Sequence, residues 1–232
     1  MRDSPVSSDG IPSCETITEI RGLLVSWYSE SGRTFPWRNP GASEYERIIA
    51  EFLLQRTRAS TVASHLSAVL VSAPDWHYLA QIPQDRLESL LRPFGLWRNR
   101  ARTLHALADR MVSQRGRVPK TLDEVAQLPG AGQYLARAML LIAYGVPGAL
   151  LDSNMARVLE RRFGPRQLSD IRYDPRLQAV ASAMTACDRS LDVNFAILDL
   201  AADVCKSNKP ICSVCPIRCG CPYPNIRGMV LK

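Results

Sequence analysis

The chain has 232 residues, enough for one large or two small domains, and a hydrophobic share of 46% supports a packed core. No apolar run reaches the roughly 20 residues needed to cross a bilayer, which excludes a helical membrane span. A formal charge of +7 and a pI of about 9.2 suit a polyanionic partner. The first thirteen residues, with Ser4, Pro5, Ser7, Ser8, Asp9, Gly10 and Pro12, read as a loose tail and not as a signal peptide. Ile17, Ile20, Leu24, Trp27 and Tyr28 then recur at the spacing of one helix face over 16–30, and Gly32 stops that helix. Phe35-Pro36-Trp37-Arg38-Asn39-Pro40-Gly41 is a stiff aromatic connector whose rings belong to the core. Ser43 and Glu46 form a capping box for a helix through Ile48, Ile49, Phe52, Leu53 and Leu54. Thr57 restarts a helix through Val62, Leu66 and Leu70, and Pro74 and Pro83 open two short ones. A longer helix is expected from about Asn99 to Gln114, and Thr121 with Glu124 makes a second capping box.

Leu128-Pro129-Gly130-Ala131-Gly132-Gln133-Tyr134 is the stretch on which the chain turns. A glycine-punctuated corner runs straight into the apolar segment Gln133–Tyr144, which reads as the central buried helix, ended by Gly145. Gly130 and Gly132 give the backbone freedom of φ and leave no side chain in front of the amides. Together with the first N–H groups of the next helix, including that of Gln133, those amides form a site for an anion such as a backbone phosphate. Asp152 precedes a further helix closed by Gly164, and 175–186 and 194–204 read as two more. With no convincing strand, the fold class is all-α.

Five of the seven cysteines lie between 205 and 221. Cys205, Cys212, Cys215 and Cys221 follow the pattern C-x6-C-x2-C-x5-C, four soft ligands at loop spacing that can hold zinc or an iron–sulfur cube. Clustering without a secretory signal points to a metal centre in a reducing cytosol and not to disulfides. Cys219 is either a free thiol or a competitor for the ligand role of Cys221.

The hairpin, Asp152 and the cysteine spacing together resemble the helix-hairpin-helix DNA glycosylases of the endonuclease III superfamily, over roughly Thr16 to Cys221. The resemblance implies two helical domains with double-stranded DNA across a cleft between them: 37–146 carrying the hairpin, and 14–36 joined to 147–228 carrying the cluster. It further implies a [4Fe–4S] cluster on Cys205, Cys212, Cys215 and Cys221, and a monomer in the cytoplasm at the nucleoid. Asp152, in Leu151-Asp152-Ser153-Asn154, matches the family's catalytic aspartate, which stabilises an oxocarbenium-like sugar and activates water. Asn154 matches the residue that supports it. Glu51, in a segment of the form E-x-x-L-x-x-T, matches the acid that helps the base depart. Gln55 and Arg56 match the place where relatives fill the gap left by a flipped base. Tyr134 stands where bifunctional members carry the lysine that attacks the sugar. Tyrosine forms no Schiff base, so the implied enzyme is monofunctional and leaves an abasic site.

Two subfamilies share Glu51, Tyr134, Asp152 and Asn154: thymine (or uracil) glycosylases of G·T mismatches, and adenine glycosylases acting opposite guanine or 8-oxoguanine. The short stretch after Cys221, Gly116-Arg117-Val118-Pro119 and Arg161-Arg162-Phe163-Gly164 favour the thymine type. Ser153 departs from the small Gly or Ala expected there and leaves another altered base open. A DNA-binding module or a redox-sensing regulator built on the same cluster is the non-enzymatic alternative; an acid pair facing DNA speaks against both.

Overall fold

The computed structural model describes residues 11–224. The tail expected over 1–13 therefore lies largely outside the described residues, as does the end of the expected cluster domain beyond Pro224. Among the described residues there is no strand, and the α-helices in chain order are α1 (Cys14–Ser31), α2 (Glu44–Leu54), α3 (Ala59–Ser72), α4 (Trp76–Gln81), α5 (Gln84–Leu91), α6 (Trp97–Ser113), α7 (Leu122–Ala126), α8 (Gln133–Tyr144), α9 (Ser153–Phe163), α10 (Pro175–Thr185) and α11 (Ser190–Asp203).

The helices sort into two compact units. One runs up to Arg33 and resumes at Pro147; the other is Thr34–Val146, inserted between. In the inserted unit, Ile48, Leu53, Leu66, Leu104, Leu135 and Met139 anchor a single core. Each such side chain contributes about 1.5–3 kcal/mol by leaving water. The other unit packs α1, α9 and α10 around α11, with Ile20, Leu24, Met155, Leu159, Ile197 and Leu200 at its centre.

Capping explains most of the helix starts. Ser13 caps α1, and the boxes Ser43/Glu46 and Thr121/Glu124 close as the sequence predicts. Several starts differ by two residues or more, those of α3, α6 and α11 among them. Helix α3 begins at Ala59 because the Thr57 hydroxyl is used elsewhere, donating to the Phe94 carbonyl at 3.1 Å and accepting from Arg100 at 3.0 Å. Helix α6 begins at Trp97, after Leu96 takes a left-handed φ of 50°. Helix α11 begins four residues before the expected Asn194, which is interior and fully buried.

Helix α11 also fixes both points where the chain crosses between the units. The Asp199 carboxylate, fully buried, accepts from the Arg33 backbone N–H and Nε, both at 2.8 Å. At the return crossing, the Asn194 amide donates to the Gly148 carbonyl at 2.9 Å and accepts from the Leu150 N–H at 2.7 Å. That grip ends two residues before Asp152.

Candidate active site and metal centre

In the inserted unit the candidate residues gather at α2, the hairpin and the start of α8. Glu51 is only 3% exposed, an acid set in the apolar face of α2 between Ala50 and Phe52. A carboxyl group there must be hydrogen-bonded to be tolerated. The Tyr134 hydroxyl donates to its Oε2 at 3.0 Å. Tyr134 is the second residue of α8, so the turn that ends in Gly132 also delivers the phenol to the acid. Gln55, just past α2, donates to the Gly130 carbonyl at 3.4 Å. The exposed Arg56 beside it has a φ of 58°, the strained left-handed region.

The two hairpin glycines have different reasons to be glycine. Gly130 has φ +76°, and a Cβ there would sit 2.7 Å from Thr103 Cγ2 and 2.9 Å from Phe52 Cε2. Gly132 has an ordinary φ of −65°, and a Cβ there would meet nothing within 4 Å. Two of the hairpin amides are engaged within the turn. Ala131 N–H donates to Leu128 and Gly132 N–H to Gly130, each at 3.0 Å. What remains for an anion is the N-terminal end of α8, which no side chain caps.

Arg100 was not singled out by sequence. It is 7% exposed and donates to the Gly95 carbonyl at 2.9 Å, the Phe52 carbonyl at 3.4 Å, the Gln55 carbonyl and the Thr57 hydroxyl. One guanidinium therefore holds the end of α2 and the turn that presents Gln55 and Arg56. Burial and the nearby Arg56 charge both lower its pKa. The signal was available: stepping back by four from Leu104 along the apolar stripe of α6 lands on Arg100.

In the other unit, Asp152 caps α9. Its Oδ1 accepts from the backbone N–H groups of Asn154 at 2.9 Å and Met155 at 2.8 Å, and its Oδ2 accepts from the Asn154 amide at 2.7 Å. Capping thus occupies one carboxylate oxygen and the Asn154 side chain the other. Asn154 Oδ1 accepts in turn from Arg157 at 3.2 Å, and Arg157 donates to the carbonyls of Cys205 at 3.0 Å and Ala201 at 2.9 Å. Ser153 is exposed at the first position of α9.

Cys205, Cys212, Cys215 and Cys221 line one pocket with Arg161, Arg218 and Tyr223, whereas Cys219 is exposed and outside it. As they stand, no three His, Cys, Asp or Glu side chains among the described residues are placed to hold a single metal ion. The donor set nevertheless fits a thiolate-ligated group. Burial pushes the Cys215 thiol up to about 11; the Ile217 backbone pulls it down, and the sulfurs of Cys205, Cys221 and Cys212 push it further up. A cationic centre among four such sulfurs converts their mutual repulsion into attraction.

Residues 49–180 match the family described as HhH-GPD superfamily base excision DNA repair protein. Over 214 residues the chain is 35% identical to a thymine-DNA glycosylase of Aeropyrum pernix, covering 90% of this chain and 96% of that one. It is 32% identical to the adenine DNA glycosylase of Homo sapiens, covering 88% of this chain and 39% of that one. A solved thermostable thymine-DNA glycosylase superposes with a TM-score of 0.84 at 26% identity, covering 91% of this chain and 98% of that one. The chain belongs to the HhH-GPD superfamily of base excision DNA repair proteins.

Proposed function

We propose that this protein is a monofunctional DNA glycosylase of base excision repair that removes thymine or uracil mispaired with guanine. The observation that carries the reading is the buried Glu51 carboxyl joined to the Tyr134 hydroxyl at 3.0 Å. A desolvated acid with a phenolic partner is suited to handing a proton to a departing base. The covering of nearly the whole Aeropyrum pernix thymine enzyme supports the choice of base. Uracil lacks only the 5-methyl group of thymine, so a pocket that admits one has room for the other.

In this reading the end of α8 and Gly132 hold a phosphate, and Gln55 and Arg56, braced by Arg100, occupy the space vacated by the flipped nucleotide. The bond between C1′ and the base nitrogen breaks, and its electron pair leaves with the base, which takes a proton from Glu51. Asp152, oriented by Asn154, stabilises positive charge on the sugar and takes a proton from the water that adds at C1′. The products are free base and a hemiacetal abasic sugar. With Tyr134 at the start of α8, no amine attacks C1′ from that position, and the strand stays intact.

Cys205, Cys212, Cys215 and Cys221 would hold a [4Fe–4S] cluster, which cross-links the loop following α11 through iron–thiolate bonds. The protein then acts on double-stranded DNA as a monomer. Among the described residues no helix is long and apolar enough to cross a membrane.

A single-turnover assay on one labelled duplex carrying G·T, G·U, A·G or A·8-oxoguanine tests the reading. Release from G·T and G·U, with strand cuts only after alkali, is the expected result. Release of adenine alone overturns the choice of base, and cuts without alkali overturn monofunctionality. Asp152→Asn is expected to lower base release by on the order of a thousandfold or more while duplex binding persists.

A further inference from the structure

Arg161 touches both ends of the cysteine set. It lies in the last turn of α9. Its guanidinium donates to the carbonyls of Lys206 at 2.7 Å, Ser207 at 3.0 Å and Cys205 at 3.3 Å, and one of its nitrogens is 3.4 Å from Cys205 Sγ. Its own backbone carbonyl accepts from the Cys221 thiol at 3.4 Å. The ring of Tyr223, two residues beyond that last cysteine, covers the guanidinium at 4.1 Å. A basic residue at a helix C-terminus is ordinary. This one spends its fork on the loop that begins at the first cysteine and is roofed by the segment that follows the last.

We propose that Arg161, shielded by Tyr223, is the clasp of the metal centre: its guanidinium holds Cys205 and the loop that follows it at the pocket wall, and its charge offsets the thiolates. The inference rests on the reading of these cysteines as metal ligands. Three consequences are separable. The fork fixes geometry, the charge stabilises sulfur-ligated iron and raises its reduction potential, and the ring excludes water from the charge. Lysine keeps the charge but not the fork.

The test uses the full chain purified without oxygen, compared with Arg161→Lys, Arg161→Gln and Tyr223→Leu. Iron release to a ferrous chelator and the midpoint potential of the bound cluster are measured for each. R161Q is expected to release iron roughly tenfold faster, with R161K between it and the parent. The midpoint falls in R161Q and stays near the parent in R161K. Y223L, a substitution at a half-buried position, releases iron several-fold faster with its midpoint little changed. Iron-release rates equal to the parent in R161K and Y223L overturn the clasp, even if R161Q fails to fold. A parent that carries zinc and no iron overturns the cluster reading instead. The clasp is then judged by zinc loss in the same three variants, with equal rates overturning it.

Discussion

Gly130 and Gly132 sit two residues apart and separate fold from binding. Gly130→Ala forces a Cβ into Thr103 and Phe52 at a left-handed φ, and is expected to cost about 2–5 kcal/mol. Gly132→Ala meets open space and should change stability by no more than about 1 kcal/mol. If the end of α8 receives a phosphate, Gly132→Ala still weakens duplex binding. Paired melting and binding curves check both statements, and a Gly132→Ala protein that binds like the parent removes the phosphate from this hairpin. Arg157 offers a second contrast. Arg157→Ala frees the Asn154 amide from one side and drops the Cys205 and Ala201 carbonyls. Base release at saturating enzyme should fall by about tenfold with duplex affinity kept, because only the orientation of Asp152 is loosened. Tyr134→Phe removes one hydrogen bond to Glu51, worth about 1 kcal/mol, and should slow base release roughly fivefold in the same assay.

Helix α10 is held by a buried carboxylate. Asp174 caps it, accepting from Leu177 N–H at 2.6 Å, and ties down the preceding loop through Leu168 at 2.6 Å and Gln167 at 2.5 Å. Burial pushes its carboxyl up, but these three backbone donors, with Arg176 nearby, outweigh it and the net shift is downward. A lowered carboxylate pKa adds stability above the unfolded value near 4, and that stability is lost as pH falls through the lowered value. Asp174→Asn should therefore melt lower than the parent at pH 7, with the gap closing in thermal scans as pH falls below the ordinary carboxylate range. Local signals made many of the elements legible. Capping boxes, glycine stops and the apolar run of α8 place α2, α7 and α8 where sequence puts them, and the Asp152 cap announces α9. What sequence could not give are contacts between distant residues. Thr57 looks like a helix start until Phe94 and Arg100 claim its hydroxyl. Asn194 looks like a cap until it is seen bridging Gly148 and Leu150. The pairing of Tyr134 with Glu51 links positions 83 apart and leaves no periodic trace. Arg161 reads as one of two adjacent basic residues until the cysteine loop folds onto it.

The basic charge of the whole chain predicts a strong salt dependence of binding. Between roughly 50 and 200 mM salt, duplex affinity should fall by at least about tenfold as counterions compete for the phosphates. Base release measured with all DNA bound should change little, because the buried Glu51 is screened far less. Affinity that ignores salt would mean the charge of +7 does not face DNA. The connectivity of the two units has a consequence for how the protein is made. Helix α1 leaves the ribosome long before the helix it packs against, α11, which ends at Asp203. Thr34–Val146 has its core partners within one continuous stretch and can close while synthesis continues. Helix α1 must wait, its apolar face uncovered, until α11 emerges and both Arg33 and Gly148 find their partners on it. Closing so long a loop late in synthesis makes the unit that bears Asp152 and the cysteines the later of the two to mature.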